Sequence, residues 1–212
     1  MKTVLILGGS GGIGKVLTKI MKDKYNVTSL SSKNLDVRNR KECDIYFKTN
    51  HFDIVVNLAA YNANGFTHSI GYIDTANQVD TNVWGTLNVV QLCLKHFMRE
   101  RGGNIILASS ILADKAQVGT SIYSATKGFI ESYVRTVAAE NFNKNVYINA
   151  IQLGYFEKGL TETISEDIQQ EIMKNIPARR WGKIEEVYNT IEYILNTSYV
   201  SGQTLRINGG LL

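Results

Sequence analysis

Residues 3–21, TVLILGGSGGIGKVLTKIM, combine a short apolar run, a glycine-rich turn and a segment with apolar residues at helical spacing. The pattern predicts a buried strand over Thr3–Leu7, a tight turn, and a helix over Ile13–Met21 whose N-terminus points at a phosphate. Gly8 allows the sharp turn, and Gly14 lets the helix pack close to the strand. A P-loop is excluded, because no Gly-Lys-Ser/Thr sequence ends the turn. A purely structural glycine turn is the alternative that this stretch alone leaves open.

Beyond this stretch, strand-like and helical segments alternate. The strand-like runs are Val27–Leu30, Ile54–Leu58, Asn104–Ala108, Val146–Gln152 and Thr204–Ile207. The helical stretches are Arg38–Thr49, Asp80–Arg99, Ser121–Phe142 and Ile184–Leu195. The alternation predicts right-handed βαβ units, and hence an α/β fold with a doubly wound, Rossmann-like parallel sheet in a three-layer αβα arrangement.

The connection after the second strand is unusually short. Only the sequence SSKNLDV separates that strand from the helix predicted to begin near Arg38. A parallel crossover needs about a dozen residues or more, so Leu35–Val37 is not expected to be a full extra strand reached through a helix. We therefore predict a trimmed connection and a trimmed sheet at this point.

Composition favours one intracellular globular domain. The 212 residues contain one proline and no linker-like tract, which predicts a single domain over residues 1–212. The 23 basic and 19 acidic residues are scattered, so nucleic-acid binding is not indicated. The chain shows no signal peptide and no apolar run of membrane-spanning length, which predicts a cytoplasmic protein without membrane contact. Cys43 and Cys93 are isolated thiols that suit a reducing compartment.

The three histidines give no ligand spacing in the sequence. His51, His68 and His96 are far apart, and the two cysteines lack metal spacing. We therefore expect surface or structural histidines that form no cluster, and no metal site.

Tyr123 and Lys127 lie four residues apart in SIYSATKGF, and Tyr123 follows Ser110 by thirteen residues. Helical spacing places the phenol and the ammonium on one face, so the cation is expected to lower the pKa of Tyr123. A free phenol, with a pKa of about 10, is a poor base near neutrality. With the lysine beside it and the Ser110 hydroxyl to hold a substrate oxygen, Tyr123 is a candidate proton donor or acceptor at a carbonyl or carbinol. The set indicates hydride chemistry.

A series of motifs in the same order along the chain resembles the short-chain dehydrogenase/reductase family in its single-domain branch. The matching segments are LGGSGGIG, LDV, NLAA, Asn82 in DTNVWGTLNV, SSI at Ser110, YSATK, NAIQLGYF, PARRWGKIEEV and SGQTLRINGG. The resemblance spans essentially the whole chain. Leu7, Ala60, Leu153 and Asn208 depart from the family pattern without removing a catalytic group.

The resemblance implies roles for four catalytic residues. Tyr123 would give a proton to the carbonyl oxygen as hydride arrives, and Ser110 would hydrogen-bond the same oxygen. Lys127 would lower the pKa of the tyrosine and bind the nicotinamide ribose. Asn82, interrupting a central helix, would hold a water that relays protons to solvent, whereas spacing alone would leave it an ordinary polar helix residue.

It also implies a set of cofactor-binding residues: Gly8, Ser10, Gly11, Gly12, Ile13, Gly14, Ser31, Ser32, Lys33, Asp36, Val37, Asn57, Ala59, Ala60, Tyr123, Lys127, Gly154 and Phe156. Lys158 stands near the position where the family often has a threonine that bonds the nicotinamide carboxamide. Thr161 or Thr163 is the candidate replacement.

The residues after the second strand favour NADP over NAD. Hydroxyls and a cation suit a 2′-phosphate, and the strand ends in Ser31, Ser32 and Lys33. Asp36 is the counterweight, since it lies about twenty residues past the glycine loop, where an NAD-type acid sits. Its place in LDV resembles the element that contacts the adenine amino group, and Lys33 has the plain alternative of a solvent-exposed turn lysine.

The substrate is expected to be a small carbonyl or alcohol compound. The family places a mobile lid at about residues 155–176, and here that segment is short and polar, with Lys158, Glu162, Glu166 and Asp167. Asn62, Asn64 and His68 add polar groups after NLAA. We therefore favour a small or polar substrate, such as a sugar derivative, over a steroid or a long acyl chain.

Two other functions stay open on the sequence. A sugar-nucleotide epimerase or dehydratase shares the tyrosine–lysine pair, although the chain has no room after Ile184 for the usual larger substrate domain. A catalytically silent NADP-binding sensor needs the loop but not the proton donor. The resemblance further implies a homodimer or homotetramer through the helices at Asp80–Arg99 and Ser121–Phe142, with Val83, Leu87, Val90 and Leu94 as an apolar stripe.

Overall fold

A sheet of six parallel strands forms the centre of the computed structural model, which describes residues 1–159 and 165–211. The strands follow the order β2-β1-β3-β4-β5-β6 across the sheet, and every neighbouring pair is parallel. They are β1 (Thr3–Leu7), β2 (Asn26–Leu30), β3 (Ile54–Asn57), β4 (Gly103–Ser110), β5 (Val146–Leu153) and β6 (Thr204–Ile207). The predicted Rossmann-like parallel sheet is confirmed.

Helices cover both faces of this sheet. They are α1 (Gly12–Met21), α2 (Arg40–Thr49), α3 (Tyr72–Val79), α4 (Gly85–Glu100), α5 (Ser121–Asn141), α6 (Glu166–Asn175) and α7 (Ile184–Asn196). Side chains of β1 alternate between the two faces, since Leu5 and Leu7 pack with α2, α4 and α5, whereas Val4 and Ile6 pack with α1 and α7. The two cores give the predicted three layers. Among the described residues, no helix is both long and apolar enough to cross a membrane.

The trimmed connection after β2 is also confirmed. Between Leu30 and Arg40 the chain forms turns and no strand, so β2 is an edge of the sheet. Leu35 and Val37 are buried beneath α2 and fill the core instead of extending the sheet. α2 begins two residues later than predicted, because the Asn39 side chain accepts a hydrogen bond from the backbone nitrogen of Glu42 and caps the helix.

Two helices were not predicted, α3 and α6. The apolar residues at the start of α3, Tyr72 and Ile73, are exposed, and α6 has no buried residue. Neither helix therefore carries the apolar stripe from which helices are predicted. α3 continues through a π-helical turn, Asp80–Trp84, into α4, so the helix predicted from Asp80 starts eight residues earlier and is interrupted.

Candidate active site

A cavity of about 380 Å³ opens at the carboxyl edge of the sheet, where β1, β3, β4 and β5 end. This is the edge at which open parallel sheets bind ligands. The cavity brings together the glycine loop and three of the four proposed catalytic residues, Ser110, Tyr123 and Lys127, although they come from separate parts of the chain. Its lining is Gly8, Gly11, Gly12, Ile13, Gly14, Leu58, Ala60, Asn62, Ala108, Ser109, Ser110, Ile111, Leu112, Tyr123, Lys127, Leu153, Gly154, Tyr155, Phe156, Lys158 and Gly159.

The glycine loop brings a helix N-terminus against this cavity. Gly8 has a φ of 78°, and a Cβ there would lie 2.7 Å from the backbone nitrogen of Ala59. A Cβ at Gly14 would lie 2.5 Å from the carbonyl oxygen of Gly8, so only glycine fits where α1 meets the loop. The cap residue Gly11 provides no side-chain hydrogen bond, and the first turn of α1 has no acidic residue. The first backbone N–H groups of α1 are therefore suited to an anionic phosphate.

Ser110 and Tyr123 reach the cavity from two elements. Ser110 ends β4, and its Oγ accepts a hydrogen bond from the backbone nitrogen of Leu112, which leaves its proton to donate elsewhere. Tyr123 lies in the first turn of α5 and is 6% exposed. Burial raises the pKa of Tyr123 to about 12, and the hydrogen bond with Ser110 opposes this shift only partly. The phenol therefore holds its proton at neutral pH.

Lys127 lies one helical turn after Tyr123 and is completely enclosed. Its Nζ donates a hydrogen bond to the carbonyl oxygen of Ala108 at 2.8 Å and lies 5.4 Å from the centroid of the Tyr123 ring. Burial lowers the pKa of Lys127 to about 8. The expectation that Lys127 brings the pKa of Tyr123 below its ordinary value is wrong for the protein groups alone, because burial of the phenol outweighs its neighbours.

Asn82 lies in the π-helical turn behind the cavity and does not line it. Its Nδ2 donates to the carbonyl oxygen of Tyr61 and to Thr126 Oγ1, while its Oδ1 accepts from the backbone nitrogen of Tyr61. Both amide hydrogens are thus committed to protein acceptors. The side chain ties the segment after β3 to α5, and a role in a water relay stays a prediction.

Glu131 is a buried residue that the sequence analysis missed. It lies on α5 one turn after Lys127, and its Oε1 accepts hydrogen bonds from Ser109 Oγ at 2.6 Å and from Gln152 Nε2 at 3.0 Å. The contacts join β4, α5 and β5 directly behind Ser110. The spacing Tyr123, Lys127, Glu131 is a signal that finds it, since four-residue steps keep all three on one helix face.

Several predicted cofactor residues lie outside the cavity lining. Ser31, Ser32 and Lys33 follow β2 at the same edge of the sheet, with Ser32 and Lys33 exposed. Val37 is buried in the core, Asn57 Oδ1 accepts from the backbone nitrogen of Ala59, and Ser10 is exposed.

Asp36 also stays outside the cavity, paired with a cation. The Arg38 guanidinium donates to both oxygens of its carboxylate, with the shortest contact 2.7 Å, and holds the pKa of Asp36 below its ordinary value. The sequence analysis considered Arg38 only as the start of a helix, yet it is a second cation, with Lys33, in the segment after β2.

The far wall of the cavity comes from the segment after β5. Gly154, Phe156 and Lys158 all line it, and a Cβ at Gly154 would lie 2.7 Å from Asn208 Cα. Thr161, Thr163 and Glu162 lie outside the described residues. The lid over about 155–176 and the single domain over 1–212 stay predictions.

Most of the polar residues from which we expected a polar substrate do not line the cavity. Glu166 and Asp167 are exposed on α6, and Asn64 and His68 are exposed in the loop after β3. Of the polar groups in this set that the structure describes, Asn62 and Lys158 line the cavity, beside Leu58, Leu112, Leu153 and other apolar side chains.

The histidines correct a second expectation. His51 and His96 are not isolated, because one ligand atom of each lies within 4.8 Å of the other and of a Glu100 carboxylate oxygen. The two histidines are 45 positions apart in the sequence, which hides this contact; it forms where α4 packs beside the start of β3.

Comparisons with known proteins agree with this geometry. A family model described as enoyl-(acyl carrier protein) reductase matches residues 15–212. The 3-oxoacyl-[acyl-carrier-protein] reductase FabG of Aquifex aeolicus is 30% identical over 218 aligned residues, which cover 99% of this chain and 87% of that protein. Carbonyl reductase family member 4 of Xenopus laevis is 27% identical, with 99% and 98% covered. A solved structure described as ElxO with NADP bound has the same fold, with a TM-score of 0.86, 24% identity, and 100% and 99% of the two chains covered.

Proposed function

Because the chain belongs to the short-chain dehydrogenase/reductase family, we propose that it reduces a carbonyl substrate with NADPH and uses Tyr123 as the proton donor. One observation carries the proposal. Ser110, Tyr123 and Lys127 converge in one cavity of about 380 Å³ with the N-terminus of α1. A helix N-terminus for phosphate and a buried phenol for proton transfer are the two things that such a reduction needs from the protein.

The protonation states favour reduction. A phenol with a pKa of about 12 is protonated at neutral pH and is ready to give its proton to a developing alkoxide. Ser110 donates a second hydrogen bond to the same oxygen and stabilises its charge. After transfer, the tyrosinate lies close to the Lys127 ammonium, which favours the anion. At pH 7 Lys127 carries its charge, since its pKa of about 8 lies above that pH.

The residues at this edge of the sheet fit a dinucleotide phosphate. The uncapped first turn of α1 would hold the pyrophosphate, and the loop keeps its shape because Gly8 and Gly14 lie where a Cβ would clash with backbone atoms. Lys33 with Ser31 and Ser32 would hold the 2′-phosphate of NADP, the dinucleotide in the similar ElxO structure. When bound, the nicotinamide would supply hydride, and Lys127 and Tyr123, which line the cavity with Ser110, would hold its ribose.

For the substrate we propose a 3-oxoacyl thioester. The Aquifex relative is named for reduction of 3-oxoacyl groups on acyl carrier protein, and a human protein of the same name is 26% identical over 99% of this chain. The cavity wall beside Ser110 offers Ile111, Leu112 and Leu153 to an acyl chain. A small polar carbonyl compound, which the sequence analysis favours, is the competing substrate.

The test is consumption of NADPH, followed by its absorbance, with 3-oxoacyl thioesters and polar carbonyl compounds as substrates. Tyr123→Phe should lower kcat by roughly 10²–10⁴-fold while the cofactor still binds, because only the proton donor is lost. Tyr133→Phe is the matched control, since Tyr133 lies on the same helix and stacks on Phe129 outside the cavity. Equal turnover in the two variants would contradict the proposal, and faster turnover of polar carbonyls would reassign the substrate.

We also propose a homo-oligomer formed through α4 and α5. Val90 is wrong as a member of the interface stripe, because it is completely buried in the protomer core. Val83, Leu87 and Leu94 are partly exposed, and Trp84 beside them is 59% exposed, which leaves apolar surface for a partner. Light scattering at micromolar concentration tests this, and a monomeric mass would contradict it.

A further inference from the structure

We propose that His51, His96 and Glu100 form a binding site for a divalent zinc-type metal ion at the amino edge of the sheet. One ligand atom from each of the three lies within 4.8 Å of the other two. His51 precedes β3, whereas His96 and Glu100 are one turn apart on α4, so an ion would link two elements. Two imidazoles and a carboxylate are the donors of many sites that hold Zn²⁺ with one open position.

His96 is prepared for this role by its surroundings. Its Nε2 lies 3.2 Å from the carbonyl oxygen of Phe52, and because a carbonyl only accepts, this nitrogen carries the hydrogen. The lone pair then resides on Nδ1. The ring stacks on Phe52 with 4.2 Å between centroids, which fixes the plane of the imidazole. A backbone carbonyl that fixes the tautomer of a neutral histidine is the usual second contact of a metal ligand.

His51 shows the same division between its two nitrogens. Nδ1 lies 3.6 Å from Glu100 Oε2, while Nε2 lies 3.6 Å from Asp53 Oδ1. The Asp53 carboxylate is itself held by the backbone nitrogen of Thr3, which donates to Oδ2 at 2.7 Å. Asp53 is thus placed to orient His51 through Nε2, in a carboxylate–histidine–metal arrangement. His51 thus turns Nε2 to a protein acceptor and Nδ1 to Glu100, on the side of the cluster.

The cluster needs only a small contraction to bind an ion. Ligand atoms about 2.0–2.1 Å from a tetrahedral Zn²⁺ are about 3.4 Å apart, and the ligand atoms of this cluster lie within 4.8 Å of one another. The side chains of His51 and Glu100 are 57% and 44% exposed, so they can change rotamer towards the fixed His96. The same exposure gives the ion a path from solvent and leaves room for a water ligand.

The cluster lies far from the cavity, so a bound ion would affect the stability of the fold and not the reduction. Asn104 pairs with the first residue of β3, and Ser110 lies six residues further along β4, about 20 Å away at the rise of a strand. An ion at this distance contacts neither the cavity nor its lining. By binding the folded state alone, it would raise the melting temperature with its concentration.

Isothermal titration of untagged, metal-free protein with Zn²⁺ tests the site. Wild type and His68→Ala should each bind one equivalent with the same affinity, since His68 is exposed and outside the cluster. His51→Ala and Glu100→Gln, both at exposed positions, should bind at least tenfold more weakly. Zn²⁺ should also raise the melting temperature of wild type and of His68→Ala more than that of the other two variants.

Two results would overturn the site: wild type that shows no saturable binding of Zn²⁺, or four proteins with equal affinities. The titration needs neither NADPH nor a carbonyl substrate. Its failure therefore leaves the proposed reduction untouched, and failure of the reduction leaves the site untouched.

Discussion

The carboxyl and amino edges of the same sheet each contain a buried base, and the two bases differ in protonation state. At the carboxyl edge, Lys127 is enclosed with a pKa of about 8 and therefore still carries a charge at pH 7. At the amino edge, burial lowers the pKa of His96, which stays neutral and stacks on Phe52. A buried charge is costly and a buried neutral ring is not. The costly buried charge therefore lies at the edge of the sheet where we propose catalysis.

The two edges also differ in how the backbone is used. At the amino edge, the Asp53 carboxylate accepts a hydrogen bond from the backbone nitrogen of Thr3, and the Asp53 carbonyl oxygen accepts one from the backbone nitrogen of Asn104. The backbone groups at these strand ends therefore have hydrogen-bond partners. At the carboxyl edge, α1 starts without a side-chain cap. The first N–H groups of α1 are therefore available for the phosphate that we propose, at a cost in stability that a capping side chain would remove.

Gly14→Ala should have the largest effect on this comparison. The new Cβ would lie 2.5 Å from the carbonyl oxygen of Gly8 and 2.8 Å from Gly9 Cα, both backbone atoms that cannot move without opening the loop. We expect NADPH affinity to fall by roughly 100-fold or more, because the pyrophosphate contacts depend on that loop. Fluorescence titration with NADPH measures the loss.

Gly128→Ala is the matched control. Gly128 lies inside α5, and a Cβ there meets nothing within 4 Å. Alanine should stabilise the helix by about 0.5–1 kcal/mol and leave NADPH affinity unchanged. If the two glycine variants bind NADPH equally well, the backbone contacts of Gly14 do not control the shape of the cofactor loop.

Ser110→Ala should have the next largest effect. It removes one hydrogen bond to the developing alkoxide, and loss of a single such donor lowers kcat by roughly 10²-fold. Ser121→Ala, an exposed hydroxyl at the start of α5, is the control and should keep wild-type kcat. Steady-state NADPH oxidation measures both, and a Ser110→Ala enzyme with normal kcat would remove this residue from the mechanism.

Lys127 should show the stability cost of the carboxyl edge directly. Its pKa is about 8 in the folded protein and 10.5 in the unfolded chain, so between these values the unfolded chain binds more protons and stability rises with pH. From pH 8 to 9.5 the free energy of unfolding of wild type should increase by about 2 kcal/mol relative to Lys127→Met. Urea denaturation at several pH values measures this difference. For His96, whose pKa is lowered from 6.5, the same rise lies on the acid side, below that value.

The sequence predicted the parts of the fold that depend on local pattern. All six strands were anticipated within two residues at each end, because their apolar runs face two cores and need no further context. α3 and α6 were missed, since their apolar side chains are exposed or few. For the SSKNLDV segment the prediction came from length and not from an apolar pattern, because so short a connection excludes an extra parallel crossover.

The candidate site was predictable to the extent that its residues are close in sequence or match ordered motifs. Four residues that belong to such motifs all line the cavity: Gly8, Gly14, Tyr123 and Lys127. The pKa of Tyr123 was not predictable, because it depends on burial by residues distant in sequence. The contacts of Glu131 and of the His51–His96 pair were missed for the same reason, since tertiary packing alone brings their partners together.

Lys33→Ala should have the smallest effect, because the residue is exposed and outside the cavity lining. Loss of one exposed cation from a 2′-phosphate site should weaken NADPH binding by roughly five- to tenfold and leave NADH binding unchanged. The ratio of kcat/KM for the two cofactors measures it, with Lys15→Ala, another exposed lysine, on α1, as the control. If the ratio is unchanged, Lys33 does not bind the 2′-phosphate, and Arg38 becomes the candidate cation. That guanidinium would then have to leave Asp36, whose carboxylate it binds through both oxygens.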